Sequence, residues 1–152
     1  MGRKERLLDR VLKLLDLARV FHLPVIVTEQ NPRFLGSTLP AIQESLSGYE
    51  PIEKLHFDCC AVDAFNREIE EKGLQNIILT GIETHICVFQ TCVSLLEKGY
   101  GVHVPHHAVD SRTDDNRQIG LSLMREAGAT ITSTETVIFQ ILAIFCNSTT
   151  RH

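Results

Sequence analysis

The sequence predicts an α/β domain in which helices cover both faces of a doubly wound parallel sheet. Short apolar runs, typical of buried strands, alternate along the chain with segments in which apolar residues recur at helical spacing. This alternation implies βα units with right-handed crossovers. The predicted architecture is therefore a three-layer, Rossmann-like α/β/α domain, with its ligand site at the carboxyl ends of the strands.

The first half of the chain supplies three of the predicted helices and two of the predicted strands. Its longest helix carries apolar residues on one face and charges on the other, so we expect it to pack against a core. The predicted elements are a helix over 3–20, a strand over 25–28, a loop over 29–38, a helix capped by Thr38 and ending near Leu46, a very short strand around Ile52, and a helix over 60–72 ended by Gly73.

The second half is organised around an apolar strand and the cysteine that follows it. Residues 77–79 form the strand, and after Gly81 the spacing becomes helical and places Cys87 at a helix start. A thiol there faces unpaired N–H groups that lower its pKa, although cysteine is also often simply a small buried apolar residue. The remaining elements are a strand over 100–105, a polar, helix-capping loop over 110–115, a helix over 119–127 ended by Gly128, a strand over 129–132 and a helix over 135–145.

Composition indicates one domain over residues 1–146, followed by a frayed tail over 147–152. A chain of 152 residues with 43% hydrophobic content can bury a proper core. Its net charge of -4 and lack of basic runs give no reason to expect a nucleic-acid partner. The five cysteines show no disulfide or zinc spacing, which indicates a reducing, cytoplasmic compartment. No apolar run is long enough to span a bilayer, so no membrane partner is expected.

Several short motifs occur in a distinctive order. LTGIETHICV at 79–88 is preceded by KLHF at 54–57 and followed by DSR at 110–112; TEQNP at 28–32, LGST at 35–38 and AGA at 127–129 accompany them. Over about residues 5 to 142, these motifs resemble the isochorismatase-like cysteine hydrolase superfamily, and most closely its isochorismatase domain-containing subgroup. The resemblance implies a small-molecule substrate, no cofactor and a homo-oligomeric assembly.

The resemblance assigns chemical roles to three residues. Cys87 would be the nucleophile that attacks a carbonyl-type carbon, and Lys54 would hold the thiolate and the developing negative charge. A cis peptide bond before Glu83 would aim the backbone N–H groups of Glu83 and Cys87 into an oxyanion hole.

Three further residues are expected to contact the substrate: Gln30, Phe57 and His85. His85 lies two residues before Cys87 and is a second candidate for its base, but a place at a subunit interface is the preferred interpretation. The histidines at 103, 106 and 107 fit no common zinc spacing, so no metal site is predicted.

The family's third catalytic residue, an aspartate in an Asp-x-Gln context after the first strand, has no counterpart in this sequence. Asp9 and Asp16 lie within helical spacing, and nothing indicates that Asp58 replaces the base. Because the chain opens on a helix, we expect a truncated, mis-started or spliced form, lacking the first strand of a sheet ordered 3-2-1-4-5-6 and leaving two strand edges unpaired. Loss of the base would slow the reaction by about a hundredfold to ten-thousandfold.

Two functions are compatible with these features. The first is hydrolysis of a small amide, imide or related carbonyl compound through a covalent intermediate on Cys87, impaired by the absent aspartate. The alternative is a non-catalytic form that acts as an interaction protein and dimerises through surfaces near the last helices.

Overall fold

The computed structural model describes residues 1–149 and contains seven helices and seven short strands over that range. The helices are α1 (Arg3–Phe21), α2 (Pro32–Leu35), α3 (Pro40–Ser45), α4 (Asp63–Lys72), α5 (Phe89–Glu97), α6 (Asp114–Ala127) and α7 (Thr134–Thr149). The strands are β1 (Thr28–Gln30), β2 (Ile52–Lys54), β3 (Asn76–Ile78), β4 (Gly81–Ile82), β5 (Gly101–Pro105), β6 (Val109–Asp110) and β7 (Thr130–Thr132). A 3-10 turn spans Cys59–Ala61, and a π-helical turn spans Thr84–Val88.

All strand pairs are parallel, as predicted, but they form three separate sheets. β1 pairs with β2, β4 pairs with β6, and the third sheet has the order β3-β5-β7. Over residues 1–149, no strand pairs with the outer edge of β1 or of β3. The alternation of helices with parallel strands confirms the α/β fold class, and the two open edges lie where the expected strand order leaves a gap.

The strand predicted over 25–28 is displaced along the chain. β1 shares only Thr28 with it, and Val25 is 43% exposed. The carbonyl oxygen of Val27 accepts a hydrogen bond from the amide of Ile52 at 2.8 Å, but no ladder extends from there towards Val25. β-branched residues form a strand when neighbours pair with them and cover them, and here no described strand pairs with the outer edge of β1.

Other boundaries also differ from the prediction: α4 begins at Asp63 and not at residue 60, and α6 begins at Asp114 and not at residue 119. Thr38 does not cap α3, whose cap position is Leu39, because the amide and hydroxyl of Thr38 both donate to the carboxylate of Glu29. The tail predicted from residue 147 is helical as far as Thr149, and residues 150–152 lie outside the described residues. The two-residue strands β4 and β6 were not predicted, because such short elements carry no periodicity.

The core lies between β5 and the helices that cover it. Its most deeply buried side chains are Leu95 of α5, Val104 of β5 and Met124 of α6, each fully enclosed. α1, predicted at nearly these bounds, packs against α3, α7 and β6. None of the described helices combines the length and apolar character needed to cross a membrane.

Candidate active site

The carboxyl ends of the strands bring most of the predicted site residues to one edge of the domain. Gln30 ends β1 and Lys54 ends β2, and the two residues are partners in the parallel register. Cys87 lies in the π-helical turn that follows β4, and Asp110 ends β6, the partner of β4. Parallel strands direct all of these ends the same way, as expected for the ligand site of an open α/β sheet.

Lys54 is a buried cation without a carboxylate partner among the described residues. Its side chain belongs to a residue only 6% exposed, and Nζ donates to Gln30 Oε1 at 2.5 Å and to the carbonyl oxygens of His56 and Phe57, each at 2.9 Å. All three N–H groups are therefore satisfied by neutral oxygens. The positive charge is held in place but is not cancelled, so it remains available to a nearby anion.

The environment of Cys87 differs from the sequence-based expectation. Burial raises the pKa of the Cys87 thiol above its ordinary value; the charge of Lys54 opposes this shift, and the charges of Cys59 and Glu83 add to it. The predicted lowering by a helix N-terminus was wrong, because Cys87 lies inside the π-helical turn and α5 begins only at Phe89. Burial therefore favours the neutral thiol of Cys87, and no hydrogen bond from a described side chain to this thiol is present.

The turn before Cys87 is made at Glu83. Glu83 has φ 60° and ψ 63°, in the left-handed region that non-glycine residues rarely adopt. The predicted cis peptide bond before Glu83 was wrong: the described residues contain none. The left-handed conformation reverses the chain instead, and the Glu83 carbonyl oxygen accepts from the amides of Ile86 and Val88. The oxyanion hole at Glu83 and Cys87 stays a prediction.

Ser111 anchors the turn that carries Cys87, a role that its sequence position in a capping loop did not reveal. Its hydroxyl oxygen lies 3.0 Å from the amide of Thr84, which donates to it, and 3.0 Å from His85 Nδ1. His85 Nε2 lies 4.0 Å from Glu83 Oε2. Both ring nitrogens of His85 therefore face protein groups rather than the thiol of Cys87, which argues against His85 as the base.

The carboxylate of Asp58 also accepts its hydrogen bonds from groups other than Cys87. Its carboxylate accepts from the amide of Cys60 at 2.8 Å and from the hydroxyl of Ser94 at 2.5 Å. These contacts cap the 3-10 turn and attach it to α5. Asp58 thus has a structural role that accounts for both of its oxygens, and it does not stand in for the absent aspartate.

Gly120 of α6 allows a close approach that positions the Cys87 turn. A Cβ atom at this position would lie 2.7 Å from the carbonyl carbon of Thr84 and 2.8 Å from the amide nitrogen of His85. These distances are shorter than real Cβ contacts, so only glycine lets α6 pack directly on the turn. An isolated glycine inside a helical pattern was the one sequence signal for this contact.

Buried Glu29 fastens the loop that follows β1. Its carboxylate accepts from the amide and hydroxyl of Thr38, each at 2.7 Å, and from the hydroxyl of Tyr49. Burial opposes the charged form of Glu29, but the hydrogen bonds from Tyr49 and Thr38 outweigh it and hold the pKa of Glu29 below its ordinary value. The loop over 31–38 is thereby closed against the strand that carries Gln30.

The histidines after β5 pack on each other and on Arg117. The rings of His106 and His107 have centroids 3.8 Å apart, and Arg117 lies 3.3 Å from His107 Nδ1. Burial and neighbouring arginines lower the pKa of His106, and they lower that of His107 to about 4. Within the part of the chain that is described, no three histidine, cysteine or acidic side chains are grouped so that they could hold a metal ion.

The chain is similar in sequence to a known protein family and to several of its members. The sequence model of the isochorismatase domain matches residues 1–136. The secreted isochorismatase effector Isc1 of Phytophthora sojae is 40% identical over 134 residues, which are 84% of this chain and 63% of that protein. The chain spans about three fifths of the length of the curated relatives that it matches.

Solved structures show the same relationship. A structure described as the MAR1 ribonuclease from Caenorhabditis elegans is 40% identical with a TM-score of 0.82, and the match covers 88% of this chain and 69% of that one. YcaC from Pseudomonas aeruginosa, solved with hexane-2,5-diol and covalent acrylamide, is 26% identical with a TM-score of 0.82, covering 88% and 67% of the two chains. Motifs, fold and sequence matches agree that this chain belongs to the isochorismatase family.

Proposed function

We propose that this chain carries the nucleophile and the stabilising cation of a cysteine hydrolase that acts on a small amide, imide or related carbonyl compound. Cys87 Sγ attacks the carbonyl carbon, the C–N bond breaks, and the amine leaves with a proton. Water then hydrolyses the thioester, which releases the acid and regenerates the thiol. Lys54 stabilises the thiolate and the negative charge that develops on the carbonyl oxygen.

The observation that carries this proposal is the buried ammonium of Lys54, which has no carboxylate partner among the described residues and whose charge favours the thiolate of Cys87. A buried ammonium without a counter-ion is costly, and such charges occur mainly at functional sites. Over residues 1–149, Lys54 has neutral hydrogen-bond partners only. The covalent acrylamide in the P. aeruginosa relative supports a reactive nucleophile in that protein, because acrylamide alkylates nucleophiles through its alkene.

We further propose that turnover by the residues described here is slow. Burial keeps the Cys87 thiol protonated, and among residues 1–149 no carboxylate or imidazole hydrogen-bonds to it to receive the proton. The absent base therefore limits the rate at the first step, the formation of the thiolate.

We propose a small carbonyl compound as the substrate, and not RNA, because of the net charge of the chain. One relative is described as a ribonuclease, but the present chain carries a net charge of -4, which repels a polyanion. A cytoplasmic compartment is part of the proposal, because Cys59, Cys60, Cys87 and Cys92 form no disulfide with one another.

The test is ammonia or amine release from a panel of small amides and imides, with RNA cleavage measured in parallel. We expect slow release, accompanied by an acyl adduct on Cys87 that mass spectrometry detects after acid quenching. Cys87→Ser should abolish both signals, and Lys54→Met should reduce release by about tenfold to a thousandfold. Cys60→Ser is the matched control, because burial and Asp58 raise the pKa of that thiol to about 12.

Two results would contradict the proposal. Equal activity in the wild type and Cys87→Ser would remove the nucleophile assignment. Complete inactivity across the panel, together with unmodified Cys87, would favour the non-catalytic interaction protein instead.

A further inference from the structure

We propose that Gln30 is a positioning residue for Lys54: its neutral side-chain amide fixes the ammonium at the carboxyl end of β2 while leaving the positive charge intact for Cys87. This inference rests on the proposed function, in which Lys54 acts on the thiol. It gives Gln30 a different role from the substrate contact expected from sequence.

Both polar atoms of the Gln30 side-chain amide form hydrogen bonds within the protein. Its oxygen accepts from Lys54 Nζ at 2.5 Å, and its nitrogen donates to the carbonyl oxygen of Leu55 at 3.0 Å. The reversed amide would place an N–H donor against the ammonium and an oxygen against a carbonyl oxygen, so its orientation is chemically determined. With both groups engaged, Gln30 acts on the reaction through Lys54.

The strand register makes this contact a consequence of the fold. Gln30 and Lys54 are paired across β1 and β2, and side chains of paired residues on adjacent strands project to the same face. Glu29, one residue earlier, points to the other face, where Thr38 and Tyr49 engage its carboxylate. The alternation therefore places a neutral amide, and not the neighbouring carboxylate, against Lys54.

A neutral partner matters because a carboxylate would hold Lys54 equally well but would cancel its charge. Lys54 lowers the pKa of the Cys87 thiol against the opposing effect of burial. Replacing the amide oxygen by a carboxylate oxygen adds a negative charge to the same place. The added negative charge would oppose the formation of the thiolate and offset the effect of Lys54.

The experiment measures the pH dependence of Cys87 alkylation by iodoacetamide, resolved from the other cysteines by peptide mass spectrometry. The variants are Gln30→Met, Gln30→Glu, Lys54→Met and the double variant Gln30→Met with Lys54→Met. We expect Lys54→Met and Gln30→Glu each to raise the apparent pKa of Cys87 by about one unit, a tenfold slower alkylation below that pKa. Gln30→Met should slow alkylation by about threefold, because one of three hydrogen bonds to Lys54 is lost.

The double variant separates positioning from a general structural effect. If Gln30 acts through Lys54, Gln30→Met changes nothing further once Lys54 is methionine. Gln75→Glu adds the same charge at an exposed position before β3, at the amino ends of the strands and far from the site, so it is the control and should shift the profile by less than about 0.3 units.

Each of the following outcomes would overturn the proposed role of Gln30. A Gln30→Met effect of equal size in both backgrounds, or an unchanged profile in Gln30→Glu, overturns the positioning role while the Lys54 result stands. If Lys54→Met itself leaves the Cys87 profile unmoved, the proposed pairing of Lys54 with Cys87 fails, and the role of Gln30 fails with it.

Discussion

For single side chains, the site is governed by how each charge is compensated. Lys54 is buried with three neutral acceptors, whereas Glu29 is buried with three donors. The charge of Lys54 is not cancelled and acts on Cys87. The carboxylate of Glu29, in contrast, accepts the hydrogen bonds that hold a loop. Two buried ions on consecutive register positions of β1 and β2 thus serve different purposes, because their partners differ.

The hydroxyl of Tyr49 tests the role of Glu29. Tyr49→Phe removes a hydrogen bond to a buried carboxylate and should lower the free energy of unfolding by about 1 to 3 kcal/mol at pH 7, measured by urea denaturation. Because the pKa of Glu29 is lowered in the folded state, its stabilisation is complete above about pH 4.5 and is lost as the pH falls through the folded-state pKa. The difference between wild type and Tyr49→Phe should therefore shrink on acidification.

Tyr100→Phe is the control for this measurement, because the hydroxyl of Tyr100 has no hydrogen-bond partner among the described residues. Its effect should stay below about 0.5 kcal/mol. A Tyr49→Phe difference that is independent of pH down to 3 would show that Glu29 is not the acceptor that matters.

Among the secondary-structure elements, the contact between α6 and the Thr84–Val88 turn decides where Cys87 lies. Ser111 holds the first amide of the turn, and Gly120 removes the side chain that would otherwise separate helix from turn. The turn is therefore fixed from two sides by elements distant in sequence. Cys87 depends for its position on α6 as much as on the strand that precedes it.

Gly120→Ala should displace this turn. Alanine favours helix by about 1 kcal/mol over glycine, but a Cβ at 2.7 Å from the Thr84 backbone forces a shift that costs about 1 to 3 kcal/mol. We expect a net loss of stability and an altered rate of Cys87 alkylation. Ser122→Ala, on the exposed side of α6, should change neither; a Gly120→Ala variant more stable than wild type with unchanged alkylation would contradict the packing argument.

The secondary-structure elements also show which features of the fold can be predicted from the sequence. α1 was predicted at nearly its observed bounds because a long amphipathic pattern is unambiguous, whereas α6 begins at Asp114, five residues before the predicted start. Ordered motifs single out Lys54 and Cys87 as site residues, and their catalytic roles stay predictions. The π-helical turn and the left-handed Glu83 were not predicted, because they arise from packing between α6 and the chain. The direction of the Cys87 pKa shift was missed because burial, the larger effect, is not visible in a local pattern.

For the molecule as a whole, we propose the exposed face of α7 as a surface for self-association. Phe139 is 62% exposed, and α7 carries no charged residue after Glu135. An uncharged apolar face can meet its own copy without like-charge repulsion, which agrees with the homo-oligomer expected from the family resemblance.

Phe139→Lys should therefore reduce the molar mass measured by light scattering to that of the monomer. Ile119→Lys, on an exposed position of α6, is the matched control and should leave the mass unchanged. A wild-type protein that is monomeric at all concentrations tested would rule out this interface.

The break between β1 and β3 has a consequence for how the molecule unfolds. The sheet of β1 and β2 shares no ladder with the sheet of β3, β5 and β7, so packing joins the two: α1 contacts α3 and α7, Phe21 stacks on Phe145 at 4.3 Å, and Ile52 packs against the main core. Cooperativity between the two parts then depends on this packing and not on continuous backbone hydrogen bonding. Amides of β5, paired on both sides, should exchange with solvent slowest, while β1 and β2 open as a separate, less protected unit that takes Gln30 and Lys54 with it.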